Sequence, residues 1–387
     1  MSRIITTFEN ERLDMTELDN ILYGQYIIDG VQMPLSPARM LRECTLEPPL
    51  EPDGAPETVA DEHLDPAPGS FEFRESEVES YAASVAELKR SLPLPFAGPF
   101  TAGKVAQALI DSIWMSGHFR LGDLTLKADW KWNGKTIGNL AAFYSSVESA
   151  CNYIDALGVK ISRYSLVKGA PSVTFKASTV AEEDEVDEEE SLFRELPYRT
   201  ANPRISRRRK CATTLLPEST DWLLYIPFDT CDFRLGGSAL SEAVGSSSST
   251  AADVGDADYF IDCFEVVREL VEDGVVKAGA TVADGGIMTA LKALASAGTG
   301  ARISVDDICK AYGEPLPLRV LFAEVPGVVL QIADIDYDYV DAELLLQDVA
   351  YFPIGHPMPA TPGVQIAPKA SIPGILESLL NTLEGED

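Results

Sequence analysis

The sequence predicts an α+β protein: two domains, each with its own sheet and helices, behind an extended N-terminal arm. Three observations predict it. Helical periodicity and strand-like alternation interleave along the chain rather than separating into blocks. A stretch rich in Pro, Glu and Asp at 47–70, poor in large apolar residues, divides the arm from the first long helix. An acidic run followed by a basic one marks a junction near 180–212. With 387 residues and 45 % hydrophobic content, the chain is long enough for two cores.

Residues 1–100 read as arm and linker. Within them, Tyr26–Met33 has strand-like content, and Val78, Tyr81, Val85 and Leu88 recur at helical spacing across Glu75–Leu92. The first domain is placed at 101–180. Thr101 is positioned to cap a helix reaching Gly117, with Val105, Leu109 and Ile113 as its stripe. Leu124, Leu126, Ala128 and Trp130 alternate as a half-buried strand, with Trp130 and Trp132 expected to face the core. Asn139–Leu157 is the clearest helix, stopped by Gly158, and Ser172–Phe175 is β-prone. Glu182–Glu190 holds eight acidic residues in nine, read as a solvated loop or insertion. Arg204–Lys210 holds five basic residues in seven, and the two runs are candidates to pair with each other.

The second domain is placed at 213–356. It opens with a strand at Trp222–Phe228, a turn at Leu235–Ser238 and a wide amphipathic helix at Tyr259–Asp273. Val275–Gly286 then reads as a buried strand ending in a turn with Asp284, where Gly285 and Gly286 open a helix. Val320–Ile332 reads as a hairpin about Val325-Pro326-Gly327. A Pro-rich tail from 357 carries one amphipathic piece at Ile375–Leu383.

The net charge of −30 argues against nucleic acid, since binding phosphates needs a basic face. No apolar run has membrane-span length and the N-terminus has no signal-like apolar core, so a soluble, non-secreted protein is expected. Six cysteines without CxxC pairing read as reduced thiols, and three histidines argue against an imidazole metal site.

Several stretches carry a family resemblance over about residues 18–360. They are Leu235-Gly236-Gly237-Ser238, Asp284-Gly285-Gly286, and the Leu-Phe-Ala-Glu-x-Pro-Gly pattern at 321–327. Together with the helix before Asp284 and the 122–132 segment, they resemble the second half of phosphoribosylformylglycinamidine synthase. The resemblance implies a two-domain module of the aminoimidazole ribonucleotide (AIR) synthase superfamily (PurM-like). It also implies a nucleotide site in which Mg²⁺ bridges oxygen ligands to phosphate. Set against the family's motifs, Asp19 keeps an aspartate, while Gln107 and Asp111 replace a Glu and an Asn. Thr281 replaces a ligand Asp, and Asp284, Gly285 and Gly286 survive. Gly236 and Gly237 keep a turn that is a candidate to accommodate phosphate. The family's Gly-Gly-Lys-Asp loop corresponds to Lys160–Val167, where neither the glycines nor the charged pair remain.

From this the sequence predicts a vestigial site. Asp19, Gln107, Asp111 and Thr281 compose either a weakened cation site or a hydrogen-bonded cluster. Asp284 is expected to stabilise the helix start. No catalytic residue or resident cofactor is expected, and the sequence does not decide on a metal; ADP or ATP with Mg²⁺ is the ligand if the site survives. The expected role is a degenerate, stand-alone half of the synthase acting as a structural or assembly protein, in the cytoplasm or, by analogy with viral relatives, in a virion. The expected partners are a second copy or a larger assembly, met through the first domain's sheet, with no membrane or nucleic acid. The alternative is a nucleotide-binding subunit of a working synthase.

Overall fold

A computed structural model describes residues 17–48, 57–66, 74–179, 208–245 and 250–367. The acidic run 182–190, the start of the basic run and the amphipathic piece Ile375–Leu383 lie outside the described residues.

The arm has more regular structure than its composition suggests. Helix α1 (Glu17–Tyr23) leads into β1 (Gln25–Ile28), which turns at Asp29-Gly30 into β2 (Val31–Gln32). Helix α2 (Pro37–Cys44) is capped by Ser36, and β3 (Thr58–Asp61) lies parallel to β1. The β3 end anchors the arm to the first domain. The Asp61 carboxylate accepts from the backbone N–H groups of Gly138, Leu140 and Ala141 at 2.8, 2.8 and 3.0 Å, so it caps α5 (Asn139–Ala156). Helix α3 (Val78–Glu87) ends five residues short of the expected Leu92. Beyond it the chain is drawn out, and Arg90 donates to groups of the second domain.

In the first domain α4 (Ala97–Ile113) and α5 cover one face of a sheet ordered β5-β4-β6, made of β4 (Leu124–Trp132), β5 (Lys160–Lys168) and β6 (Ser172–Thr179). The alternation of β4 is as expected: Leu126, Ala128, Trp130 and Trp132 are buried, and both indole N–H groups find acceptors, Ser146 Oγ at 3.1 Å and the Asn139 carbonyl at 2.6 Å. Two expectations fail here. Thr101 does not cap a helix; α4 begins at Ala97, and the Thr101 hydroxyl is spent on the Ala97 carbonyl at 2.7 Å within the helix. The stretch set against the phosphate loop, Lys160–Val167, is strand β5, paired parallel to β4 along its length.

The second domain is a six-stranded sheet ordered β12-β9-β11-β7-β10-β8. Its strands are β7 (Trp222–Pro227), β8 (Val276–Val282), β9 (Thr299–Ile303), β10 (Gly327–Ile332), β11 (Phe352–Pro359) and β12 (Val364–Ile366). Helices α6 (Ala239–Ala243), α7 (Ala257–Glu272), α8 (Gly286–Leu294), α9 (Asp306–Ala311), α10 (Pro317–Phe322) and α11 (Tyr337–Leu346) accompany it. The sheet is covered on both faces. Leu224, Ile226 and Phe228 share a core with α4, α5 and α7, whereas Leu223 and Tyr225 face α8 and α10. Their continuous apolar run is what double burial demands.

The 320–332 hairpin is corrected: Pro317 starts a helix, α10, and only Gly327–Ile332 is strand. The tail is corrected too. β11 runs through Pro359 and β12 follows, so the sheet extends past 356. Beyond Gly355 strand β11 pairs only with β9, which leaves room for Pro357 and Pro359. Cys44 and Cys151 are buried, free thiols with sulfurs 3.1 Å apart, joining α2 to α5.

Candidate ligand cleft

The cleft lies where α4 faces the end of β8. One turn of α4 apart, Lys104, Gln107 and Asp111 share a stripe, because residues three and four apart lie on one helix face. Opposite them stand Asp284, just past β8, the 234–238 turn, Glu324 after α10, and Arg90 from the segment after α3.

The charges in it are satisfied internally. The Arg90 guanidinium donates to the Gly237 carbonyl at 2.7 Å, Glu324 at 2.9 Å and Glu242 at 3.3 Å, and its Nε lies 3.7 Å from Asp284. Lys104 Nζ donates to Asp284 at 2.8 Å and to Gln107 at 3.0 Å. Both cations sit 5.2 Å from the centre of the Phe100 ring. Glu324 also accepts from the backbone N–H groups of Ala239 at 2.7 Å and Gly285 at 2.9 Å. Burial still raises its carboxyl above the usual range, with Arg90 acting against that rise.

The sequence-predicted residues divide into three groups. Gln107, Gly236, Gly237 and Asp284 line one pocket; Gln107, Asp111 and Asp284 line the recess beside it. Thr281 joins them through its hydroxyl, which donates to Asp111 at 2.6 Å and accepts from Trp114 Nε1 at 2.8 Å. Close packing raises the Asp111 carboxyl by desolvation, opposed first by Thr281 and then by Lys104 and Arg209. Asp19 is elsewhere: it lies on α1, which packs on α2 and β5, and it lines neither pocket.

The helix start at 285–286 also differs from expectation. Glu324, not Asp284, takes the Gly285 N–H, and Asp284 turns to Lys104 and Arg90. The paired glycines approach protein rather than ligand. A Cβ on Gly286, whose φ is +67°, would stand 2.7 Å from the carbonyl oxygens of Leu321 and Ala323. A Cβ on Gly236 would stand 2.2 Å from the Thr250 carbonyl oxygen, and one on Gly237 2.9 Å from Phe96. These glycines serve close packing.

Sequence reasoning missed Arg90, Lys104, Phe100, Trp114 and Glu324 as cleft residues. Lys104 had a signal, since it is three residues from Gln107 and seven from Asp111 on one helix. Glu324 stood inside the 321–327 pattern. Arg90 had none, because it follows a helix end without periodicity.

The residues present do not fit the magnesium nucleotide that the resemblance implies. Mg²⁺ needs hard oxygen donors left free to bind it, yet Asp111 and Thr281 bond each other, and Asp284 is engaged by two cations. The pocket by Gly236 and Gly237 leaves about 50 Å³, against roughly 300 Å³ or more for ordinary small-molecule sites. The recess by Asp111 is larger, at about 290 Å³.

Comparison with known proteins supports the resemblance. Residues 226–346 match the C-terminal domain of AIR synthase related proteins. The human phosphoribosylformylglycinamidine synthase is 27 % identical over 221 residues, covering 56 % of this chain and 15 % of that protein. The probable chloroplastic/mitochondrial enzyme of Arabidopsis thaliana is 28 % identical over 254 residues, covering 65 % and 17 %. The chain thus spans less than a fifth of the length of these relatives. Among solved structures, Thermotoga maritima PurL complexed with FGAR aligns at a TM-score of 0.49 and 11 % identity, covering 75 % of this chain and 48 % of that one. Thiamine-monophosphate kinase from Stenotrophomonas maltophilia aligns at 0.43 and 12 %, covering 71 % and 80 %. The chain is thus an α+β protein similar to the phosphoribosylformylglycinamidine synthases over part of their length, and its residues 226–346 match the C-terminal domain of AIR synthase related proteins.

Proposed function

We propose that this chain is a degenerate, non-catalytic form of the synthase scaffold, acting as a binding or assembly module. The observation that carries the reading is the cleft's internal pairing: Arg90 and Lys104 form ion pairs with Glu242, Asp284 and Glu324, while Thr281 and Asp111 bond each other. A site built to clamp a magnesium nucleotide would keep these carboxylates for the metal. Assembly in this reading runs through the edges of the β5-β4-β6 sheet, joined to a second copy or a larger relative.

A second reading has one specific observation in its favour. The recess by Asp111 presents Phe100 with Arg90 and Lys104, a ring and two cations suited to a base and a phosphate. Under it the chain is a nucleotide-binding subunit that works with partner chains in purine synthesis. Thermal melts separate the two. A ligand at a hundred times its dissociation constant adds about 2.7 kcal/mol of stability. Unchanged melts at millimolar ATP or ADP, with and without Mg²⁺, support the degenerate module; a saturable rise supports the subunit.

A further inference from the structure

The face of the first domain's sheet turned away from α4 and α5 carries an exposed basic row, in a chain whose net charge is −30. Strand register places Arg163 of β5, Lys127 of β4 and Lys176 of β6 directly side by side in one row across all three strands. Four residues along β4 from Lys127, on the same face, stands Lys131. All four are exposed. The one acidic residue among them on β4, Asp129, accepts from the Ser165 hydroxyl at 2.5 Å. Among the described residues Arg163, Lys131 and Lys176 enter no ion pair. Like charges set directly opposite across strands repel one another, so such a row is stabilised by an anionic neighbour.

The chain contains a matching polyanion close by. β6 ends at Thr179, three residues past Lys176, and the run of eight acids in nine begins at Glu182. Three residues of strand are about 10 Å. Nine residues span up to roughly 30 Å, more than the roughly 10 Å across three strands. A short tether also gives an effective concentration of about millimolar, so modest attraction suffices.

In the other basic stretch, Arg209 and Lys210 are already engaged. Arg209 stacks on Trp114 at 5.0 Å and donates to the carbonyls of Cys211 and Gly279, while Lys210 pairs with Glu272 at 3.5 Å. We propose that the face carrying Lys127, Lys131, Arg163 and Lys176 is the docking surface for this chain's own acidic segment, Glu182–Glu190.

The test is zero-length carbodiimide coupling on the full chain, which links a lysine to a carboxylate only when they are in contact. An equal mixture of ¹⁴N- and ¹⁵N-labelled protein distinguishes links within one chain from links between chains. The expected result at low salt is same-chain links from Lys127, Lys131 or Lys176 to residues 182–190. They should fall several-fold in 1 M NaCl, where the screening length is about 3 Å, and several-fold in Arg163→Glu, which adds no new amine. Links from the segment to Lys210 alone would overturn the proposal in favour of pairing between the two charged runs. A large share of mixed ¹⁴N–¹⁵N pairs among the links would overturn it by assigning the surface to a second copy's segment. Absence of links, or links indifferent to salt and to Arg163→Glu, would also overturn it.

Discussion

Replacing Arg90 by Met tests the cleft's internal neutralisation directly. Met keeps much of the stem's volume and its packing on Phe100 while removing the guanidinium. The side chain is 16 % exposed, and its two nearest carboxylates, Glu324 and Glu242, are 18 % and 28 % exposed. Removing one partner of a fully buried pair costs about 3–5 kcal/mol. Partial exposure here reduces that, and the Asp284 contact adds little at 39 % exposure. A loss of about 2–3 kcal/mol follows, read as a fall of roughly 4–12 °C in the melting midpoint of a domain this size.

The loss should also depend on pH. Glu324 already sits above the usual carboxylate range because of burial, and losing Arg90 pushes it higher. A carboxyl raised in the folded state weakens the fold as pH rises through its folded value. The penalty is therefore full near pH 8 and shrinks as pH falls toward the ordinary carboxylate range. Melts of parent and variant across that interval provide the assay. A variant within about 0.5 kcal/mol of the parent, with the same pH profile, would refute the account of Arg90.

Further tests address the elements that build the site. Asp61→Ala removes the acceptor for three N–H groups at the start of α5 and should cost about 2 kcal/mol in urea unfolding. Gly286→Ala combines a left-handed backbone with two carbonyl oxygens in the way and should cost about 2–3 kcal/mol. Gly158→Ala has a similar φ of +68° but open space around it, so it should cost only about 1 kcal/mol. Thr281→Val removes the leading opponent of desolvation at Asp111, so carboxyl NMR should show Asp111 titrating at higher pH than in the parent.

Much of the fold was legible because its signals are local. The stripe of α5, its stop at Gly158 and the alternation of β4 each follow from side-chain period within one element. Failures came where a distant partner decides. Thr101 has a capping residue's chemistry, but Ala97–Phe100 continue the helix because they pack against other elements. Val320–Phe322 is as apolar as a strand, and there the deciding signal is local, with Pro317 in the first turn of a helix. Arg90 and Glu324 meet across 234 positions, which no period records. The motif comparison identified the places at Gln107, Asp111, Thr281 and Asp284 without revealing that neighbouring side chains satisfy them.

The central claim is that the cleft is closed to magnesium nucleotide by its own charges. Isothermal titration of ATP and ADP with Mg²⁺ into the full chain tests it most directly, with Gln107→Ala and Thr281→Val variants alongside. The account predicts no saturable heat at millimolar nucleotide in any of the three proteins. Saturable, magnesium-dependent binding in the parent that weakens in either variant would contradict it and establish a working nucleotide site.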